Sequence, residues 1–463
     1  MDHNRNKTED TKKHHDMTEG GVGRTILVFL IPMLFTTALQ QVYSIADTWI
    51  VGLGLGDDAL GAVGNIGPLT FLIFGFSMGL TGGFAVIIGQ KYGAGDIKAL
   101  SRAVTSSVRL SIIIAFVITC LSLTFLRRLL ILLSTPEEIL DMSLRYGYVI
   151  FAGSFSSISY NLCSSVLRAL GDSRTPFYSV VFSVIFNFVF DWVSIFLFHS
   201  GVEGPASVTV ISQVIATAIC IRKIKSINII RPSRKDLGTW GNTDLLLLKN
   251  GIPMAIMNSI TAVGCIIVQF FINGMGVAYT SAYSVCGKYL NFFMTPSSTA
   301  GLAISAFTSQ NYGAGKADRI GKGIRMGICL AIATSALFGS LMFFFPSHLA
   351  SFMLKGSTQI SLAASFLKWC GTAIVIVNML YIVRGGVQGM GKPLVPMLSG
   401  IAEMILRIGA MILLLQRIGF TAAAFAEIAA WVGAFGMNGT ACLYSIRKLN
   451  GAGHSRTADL RKA

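Results

Sequence analysis

Gln90-Lys-Tyr-Gly-Ala-Gly95 recurs 220 residues later as Gln310-Asn-Tyr-Gly-Ala-Gly315. Two further landmarks keep nearly the same spacing. Ile31-Pro32 returns as Ile252-Pro253 at an offset of 221, and Arg174-Thr-Pro176 matches Gly391-Lys-Pro393 at an offset of 217. Self-similarity at a fixed spacing marks a duplicated architecture.

What is duplicated is a set of membrane spans. Of the 463 residues 53% are hydrophobic and only 13% charged, against about 25% charged in soluble domains. Twelve apolar runs, at 25–54, 59–83, 104–126, 146–168, 176–198, 205–222, 250–273, 277–304, 325–346, 366–389, 394–415 and 418–445, approach or exceed the length needed to span. That requirement is about 20 residues. The run at 205–222 is the weakest, being short and carrying Ser, Thr and Gln. The expected fold is an all-α integral membrane protein with twelve transmembrane helices in two pseudo-symmetric six-helix bundles.

The net charge of +16 is a topology signal and does not mark a nucleic-acid partner. With the N-terminus inside, inner segments hold 28 of the 37 Lys and Arg and outer connections six. This is the positive-inside bias, and it places both termini in the cytoplasm. The divisions that follow are a tail at 1–23, a bundle at 24–224, a linker at 225–249, a second bundle at 250–447 and a tail at 448–463. Six spans per half is an even number, so the halves insert in the same orientation. Transporters built on such parallel repeats bind substrate near the midplane and alternate access by rocking. Nothing resembles the filter of a channel.

The repeated Gly-Ala-Gly segments read as tight turns, where glycine alone suits the backbone. No Walker pattern accompanies them, so ATP is not the direct energy source. The eight cysteines lie in or beside apolar runs without metal-ligand spacing and read as free thiols. The six histidines fall in tails or at span ends, which leaves no catalytic or cofactor constellation within the membrane and argues against an enzyme.

Few charges lie within spans: Asp47, Arg109, Asp191, Lys288, Glu403, Arg407 and Glu427. A carboxylate at mid-bilayer costs roughly 2.5–3.5 kcal/mol on insertion scales, so such groups are functional candidates. Gln40, Tyr43 and Asp47 form a stripe at i, i+3, i+7, and Asn187 and Asp191 share one helical face. Polar stripes in lipid must face protein or water. Two acids so flanked suit proton uptake by a coupled pair or a cage for a small hard cation. A polar cluster that only ties helices together is the alternative. Arg109 is placed to snorkel from a span end. Glu403 and Arg407, four apart, suit an intrahelical ion pair, and Lys288 is placed to meet Glu403 or Glu427. The repeat offset carries Asp47 to Val268 or Gln269 and Asp191 near Ile408, so both acids belong to the first half alone.

Taken together, Ile31-Pro32, Ala46-Asp47-Thr48, Gln90–Asp96, Arg168-Ala-Leu-Gly-Asp172 with Thr175-Pro176, and Gln310–Gly315 resemble the multidrug and toxic compound extrusion (MATE) family. The acids on the first and fifth spans are similar to its DinF branch. The resemblance implies a cation/drug antiporter of the cell membrane, monomeric and without a cofactor, coupled to H+ or Na+. It would expel amphipathic, cationic compounds through a central cleft between the bundles. It also implies an ion-coupling set of Asp47, Asn187, Asp191 and Thr209, the same four being the candidate Na+ ligands. The implied substrate contacts are Gln40, Tyr43, Asp47, Asn161 and Asp191, and Pro32 is the implied hinge of the first helix. Glu403 and Arg407 leave room for a second site. The competing reading is a flippase for lipid-linked cell-wall or polysaccharide precursors, which predicts a strongly basic cleft. Intramembrane acids outnumber cations four to three here.

Overall fold

The computed structural model describes residues 16–133, 135–227 and 240–460. Most of the expected N-terminal tail, the middle of the 225–249 linker and the last three residues lie outside these. The described residues form helices α1 (Val22–Leu55), α2 (Asp57–Gly93), α3 (Ile97–Leu132), α4 (Glu137–Ala152), α5 (Ser154–Ala169), α6 (Arg174–Trp192) and α7 (Glu203–Ser226). They continue as α8 (Asn242–Asn273), α9 (Val277–Gly313), α10 (Ala317–Phe344), α11 (Pro346–Met353), α12 (Ser357–Gly389), α13 (Leu394–Ile418) and α14 (Thr421–Leu460). Among the described residues nine helical segments are long and apolar enough to cross a membrane.

The remaining three expected spans take other forms. The run at 146–168 is divided at Gly153 into α4 and α5. A Cβ there would fall 2.2 Å from Val210 of α7, so glycine lets that helix come against the break. The eighth and twelfth spans are α9 and α14, both richer in polar residues. The final 448–463 stretch, expected as a tail, continues α14 as far as Leu460.

The duplication is written into the turns. Gly56 and Gly276, Gly95 and Gly315, Gly171 and Gly391, and His199 and Gly419 all have positive φ, each pair 220 residues apart. The hydrogen bonds repeat as well. Asp96 N–H bonds to Lys91 O as Lys316 N–H bonds to Asn311 O, and Asp172 N–H bonds to Leu167 O as Lys392 N–H bonds to Val387 O. These are six-to-one helix-terminating bonds closed through a left-handed residue. They correct the offset of 217 expected at Pro176. Gly171 pairs with Gly391, so Pro176 pairs with Pro396, and each proline carbonyl accepts from a serine three residues on, Ser179 and Ser399.

The chain packs as two units, Val28–Gly251 and Met17–Leu27 with Ile252 onward. Helix α1 therefore begins in the second unit and continues in the first, and α8 changes units in the opposite sense. Each change falls just ahead of an internal proline, Pro32 or Pro253, through which the helix runs on. The start of α1 is held in the second unit by a polar clasp. Gln310 accepts from Met17 N–H at 2.9 Å, Lys316 Nζ donates to Thr18 O at 2.9 Å, and Arg319 donates to the carbonyls of Met17, Glu19 and Gly20.

In the first unit, Ile66, Leu126, Leu130 and Phe151 form one core and Ile50, Val51, Ile195 and Val202 another. The second unit has a larger core, in which Phe366, Cys370 and Ile374 of α12 meet Phe293 of α9 and the buried alanines at the start of α14. Many large apolar side chains, Phe116, Phe270 and Val277 among them, are exposed, as expected where the solvent is lipid. Small residues let helices close up. A Cβ on Gly385 of α12 would fall 2.1 Å from the Gly301 carbonyl oxygen of α9. Gly385→Leu is therefore expected to force the two helices apart, at a cost of about 1–3 kcal/mol or more. The check is a lower unfolding midpoint and a reduced monodisperse fraction in detergent.

Candidate functional site

The acids sit in the first unit, where α1, α6 and α7 converge. Tyr43 Oη of α1 lies 3.1 Å from Thr209 Oγ1 of α7, and Asn187 Nδ2 of α6 donates to the same hydroxyl at 3.3 Å. Thr209 thus ties three helices through one oxygen. Asp47, four residues beyond Tyr43, stands beside Asp191, close enough for the two carboxyls to interact directly. Tyr146 of α4 is close enough to feel both charges. Directly after Asp191 and Trp192 the helix widens into a π-helical turn, Val193–Leu197, a feature frequent at functional sites.

Burial makes this cluster demanding. Asp191 is 0% exposed and Asn187 1%. Both carboxylate oxygens of Asp191 and the Oδ1 of Asn187 are buried without a hydrogen-bond donor. An unmet buried acceptor costs about 1–3 kcal/mol, more when charged. Asp47 cannot relieve it as a second carboxylate, because both groups are acceptors. A shared proton or a cation between them can.

Two cavities open beside the cluster. A space of about 390 Å³ is walled by Gln40, Tyr43, Asn161, Phe71, Phe74 and Gln213 among others. It falls within the roughly 300–1,000 Å³ of small-molecule sites. A hollow of about 250 Å³ between α1 and α6 is bordered by Tyr43, Asp47 and Asn187. Tyr43 borders both. Asp191 borders neither, since it is packed behind the wall, and so it is not placed to touch a molecule in the larger cavity. Gln40, Tyr43 and Asn161 are.

Gln213 was not among the expected site residues. It accepts from Ser157 Oγ and lies one turn beyond Thr209. Its signal is the polarity of the 205–222 run, the same Ser, Thr and Gln content that makes this span the weakest of the twelve. Tyr146, at the first residue of the 146–168 run, was also not singled out.

The second unit overturns several expected pairings. Glu403 bonds Arg384 of α12, and Arg407 Nη2 donates to Glu427 of α14 at 2.9 Å. The i, i+4 pair between Glu403 and Arg407 gives way to two interhelical ones. Each acid meets a guanidinium on another helix while Lys288 is exposed. Arg384, counted with the loop charges, is buried. In the first unit Arg109 does not snorkel. It is buried against Asp244 with its guanidinium 4.8 Å from the Trp240 ring centre. Among the described residues no group of three or more His, Cys, Asp or Glu forms a metal centre.

Comparison with known proteins bears on the family and the fold. The MatE family model matches twice, over residues 32–193 and 253–413. "Probable multidrug resistance protein YoeA" of Bacillus subtilis is 29% identical over 383 residues, 81% of this chain and 83% of its own. "Probable multidrug resistance protein YpnP" of the same organism is 26% identical over 382 residues, 82% and 86% of the two chains. A solved outward-facing multidrug resistance MATE family transporter superposes with a TM-score of 0.86 at 19% identity, covering 94% of this chain and 98% of that one. With one match of the family model to each half and the same helical fold, the chain belongs to the MatE family, membrane-embedded transporters and not enzymes.

Proposed function

We propose that this protein is a cation-coupled multidrug exporter of the cell membrane, with both termini cytoplasmic, acting as a monomer without a cofactor. Asp47 and Asp191 take the coupling ion, H+ or Na+. The observation that carries the reading is the set of three donorless acceptor oxygens on Asp191 and Asn187, buried beside a second acid. A proton or a metal cation held there would answer it. Asp47, Asn187, Asp191 and Thr209 are the oxygen-bearing groups that would hold it, and hard cations choose such ligands.

The drug, amphipathic and cationic, occupies the cavity walled by Gln40, Tyr43 and Asn161. Tyr43 is the physical link, since it borders that cavity and bonds the hydroxyl on which Asn187 depends. Ion binding neutralises the acids and weakens the hold on a cationic drug, and ion release restores it. Exchange requires these opposed preferences. Pro32 lies just beyond the point where α1 changes units, a fitting place for that helix to bend. Glu403 and Arg407 are engaged by Arg384 and Glu427 and take no part in ion binding in this scheme.

Replacing Asp47 with Asn is expected to abolish drug resistance in an efflux-deficient host at normal protein levels. In proteoliposomes with imposed pH or Na+ gradients, ethidium efflux by that variant should fall to the level of protein-free vesicles. Resistance equal to the parent would refute the coupling role. Thr209→Ala removes a hydrogen-bonding hub worth about 0.5–1.5 kcal/mol per bond. The expected result is a several-fold rise in the ion concentration giving half-maximal efflux, restored by Thr209→Ser.

A further inference from the structure

The repeat of 220 residues equates Asn187 of the first unit with Arg407 of the second. The two side chains also make the same connection. Asn187 of α6 donates to Thr209 on the following helix, and Arg407 of α13 donates to Glu427 on the following helix. Around them the polar demands are reversed. Beside Asn187 the buried atoms without partners are acceptors, both oxygens of Asp191 and one of Asn187 itself. Beside Arg407 they are donors, Nε of Arg384 and Nε and Nη1 of Arg407, while no oxygen of Glu403 or Glu427 is buried unpaired. All four charged groups are at least nine-tenths buried. Arg407 also fits closely against α8, where a Cβ on Gly264 would fall 3.1 Å from its Nη1.

We infer that Arg407 is a tethered cation. It occupies, in the second unit, the place at which the first unit is left short of positive charge, and its removal uncovers a carboxylate site for a proton or a small monovalent cation. The acids of the second unit carry their counterions covalently, so they need no ion from solution. One ion-responsive locus per chain follows, and the ion stoichiometry of exchange is set by the first unit alone. This inference rests on the coupling reading only for the kind of ligand expected. The titratable and charged groups facing Arg407 are Glu403 on its own helix, Glu427 of α14, Cys265 of α8 and Tyr283 of α9. Tyr381 and Arg384 of α12 adjoin Glu403, and Cys370 of α12 adjoins Glu427.

The test uses full-length protein purified in detergent, with Asp47→Asn and Asp191→Asn combined to silence the first unit. The unfolding midpoint is followed as Na+ replaces choline, and separately as the pH is lowered. A ligand that binds only the folded state raises that midpoint. The doubly substituted protein is expected to ignore Na+. Adding Arg407→Gln should lower the midpoint and create a rise of several degrees with Na+ or acid, and further addition of Glu427→Gln should abolish that rise. Arg407→Lys, which keeps the tethered charge, should show none. Should Arg407→Gln yield no folded protein in choline at neutral pH, recovery by Na+, by acid or by Glu427→Gln supports the inference, and failure of all three overturns it. A midpoint that falls equally in every medium, or a cation response that survives Glu427→Gln or appears in Arg407→Lys, also overturns it. A Na+ response before Arg407 is altered would instead count against Asp47 and Asp191 as the coupling pair, a separable outcome.

Discussion

Hydrocarbon cannot accept or donate a hydrogen bond, and every polar group placed within it must be answered by the protein. This constraint explains why the described chain is helical nearly throughout, and why buried serines and threonines bond back to carbonyls three or four residues earlier, as Ser179 does to Pro176 and Thr81 to Ser77. It also makes the exceptions informative. Several neutral side chains bury one oxygen without a partner, Ser77, Asn250 and Asn378 among them, but Asp191 buries both oxygens of a carboxylate that way.

The two units share their turns and helix order yet resolve buried charge in opposite ways. One keeps two acids beside neutral Tyr, Asn and Thr groups. The other matches two acids with two arginines on neighbouring helices. Removing one partner from a buried pair of that kind leaves an uncompensated charge and costs about 3–5 kcal/mol, so the second arrangement is a fixed one. The first leaves the oxygens of Asp191 without a donor.

Much of this was legible in the chain. Apolar runs reported the spans, and Gln90–Gly95 with Gln310–Gly315 reported the duplication. The stripe of Gln40, Tyr43 and Asp47 placed α1 at the site, because helical periodicity survives any tertiary arrangement. What was not legible depended on partners distant in sequence. Glu403 and Arg407 are correctly spaced to pair with each other, but each finds a better-placed group on another helix. Arg109 has the sequence position of a span-end cation, but the end of the 225–249 linker, already part of α8, brings Asp244 to it. The repeat register near Pro176 went astray because Arg174-Thr-Pro and Gly391-Lys-Pro look alike, whereas the backbone equates positions by φ.

The clasp on the start of α1 has a consequence for how the molecule is made. Its partners lie far apart in the chain, with 293 residues between Met17 and Gln310 and 302 between Met17 and Arg319. At about 5–20 residues per second, the usual pace of synthesis, roughly 15–60 s separates their emergence from the ribosome. For that interval α1 has no docking place for its leading end. The unit carrying the acids can pack around α1 from Val28 onward, but the start of that helix must wait for the α9–α10 turn. The first of the described membrane helices is thus among the last to be fastened.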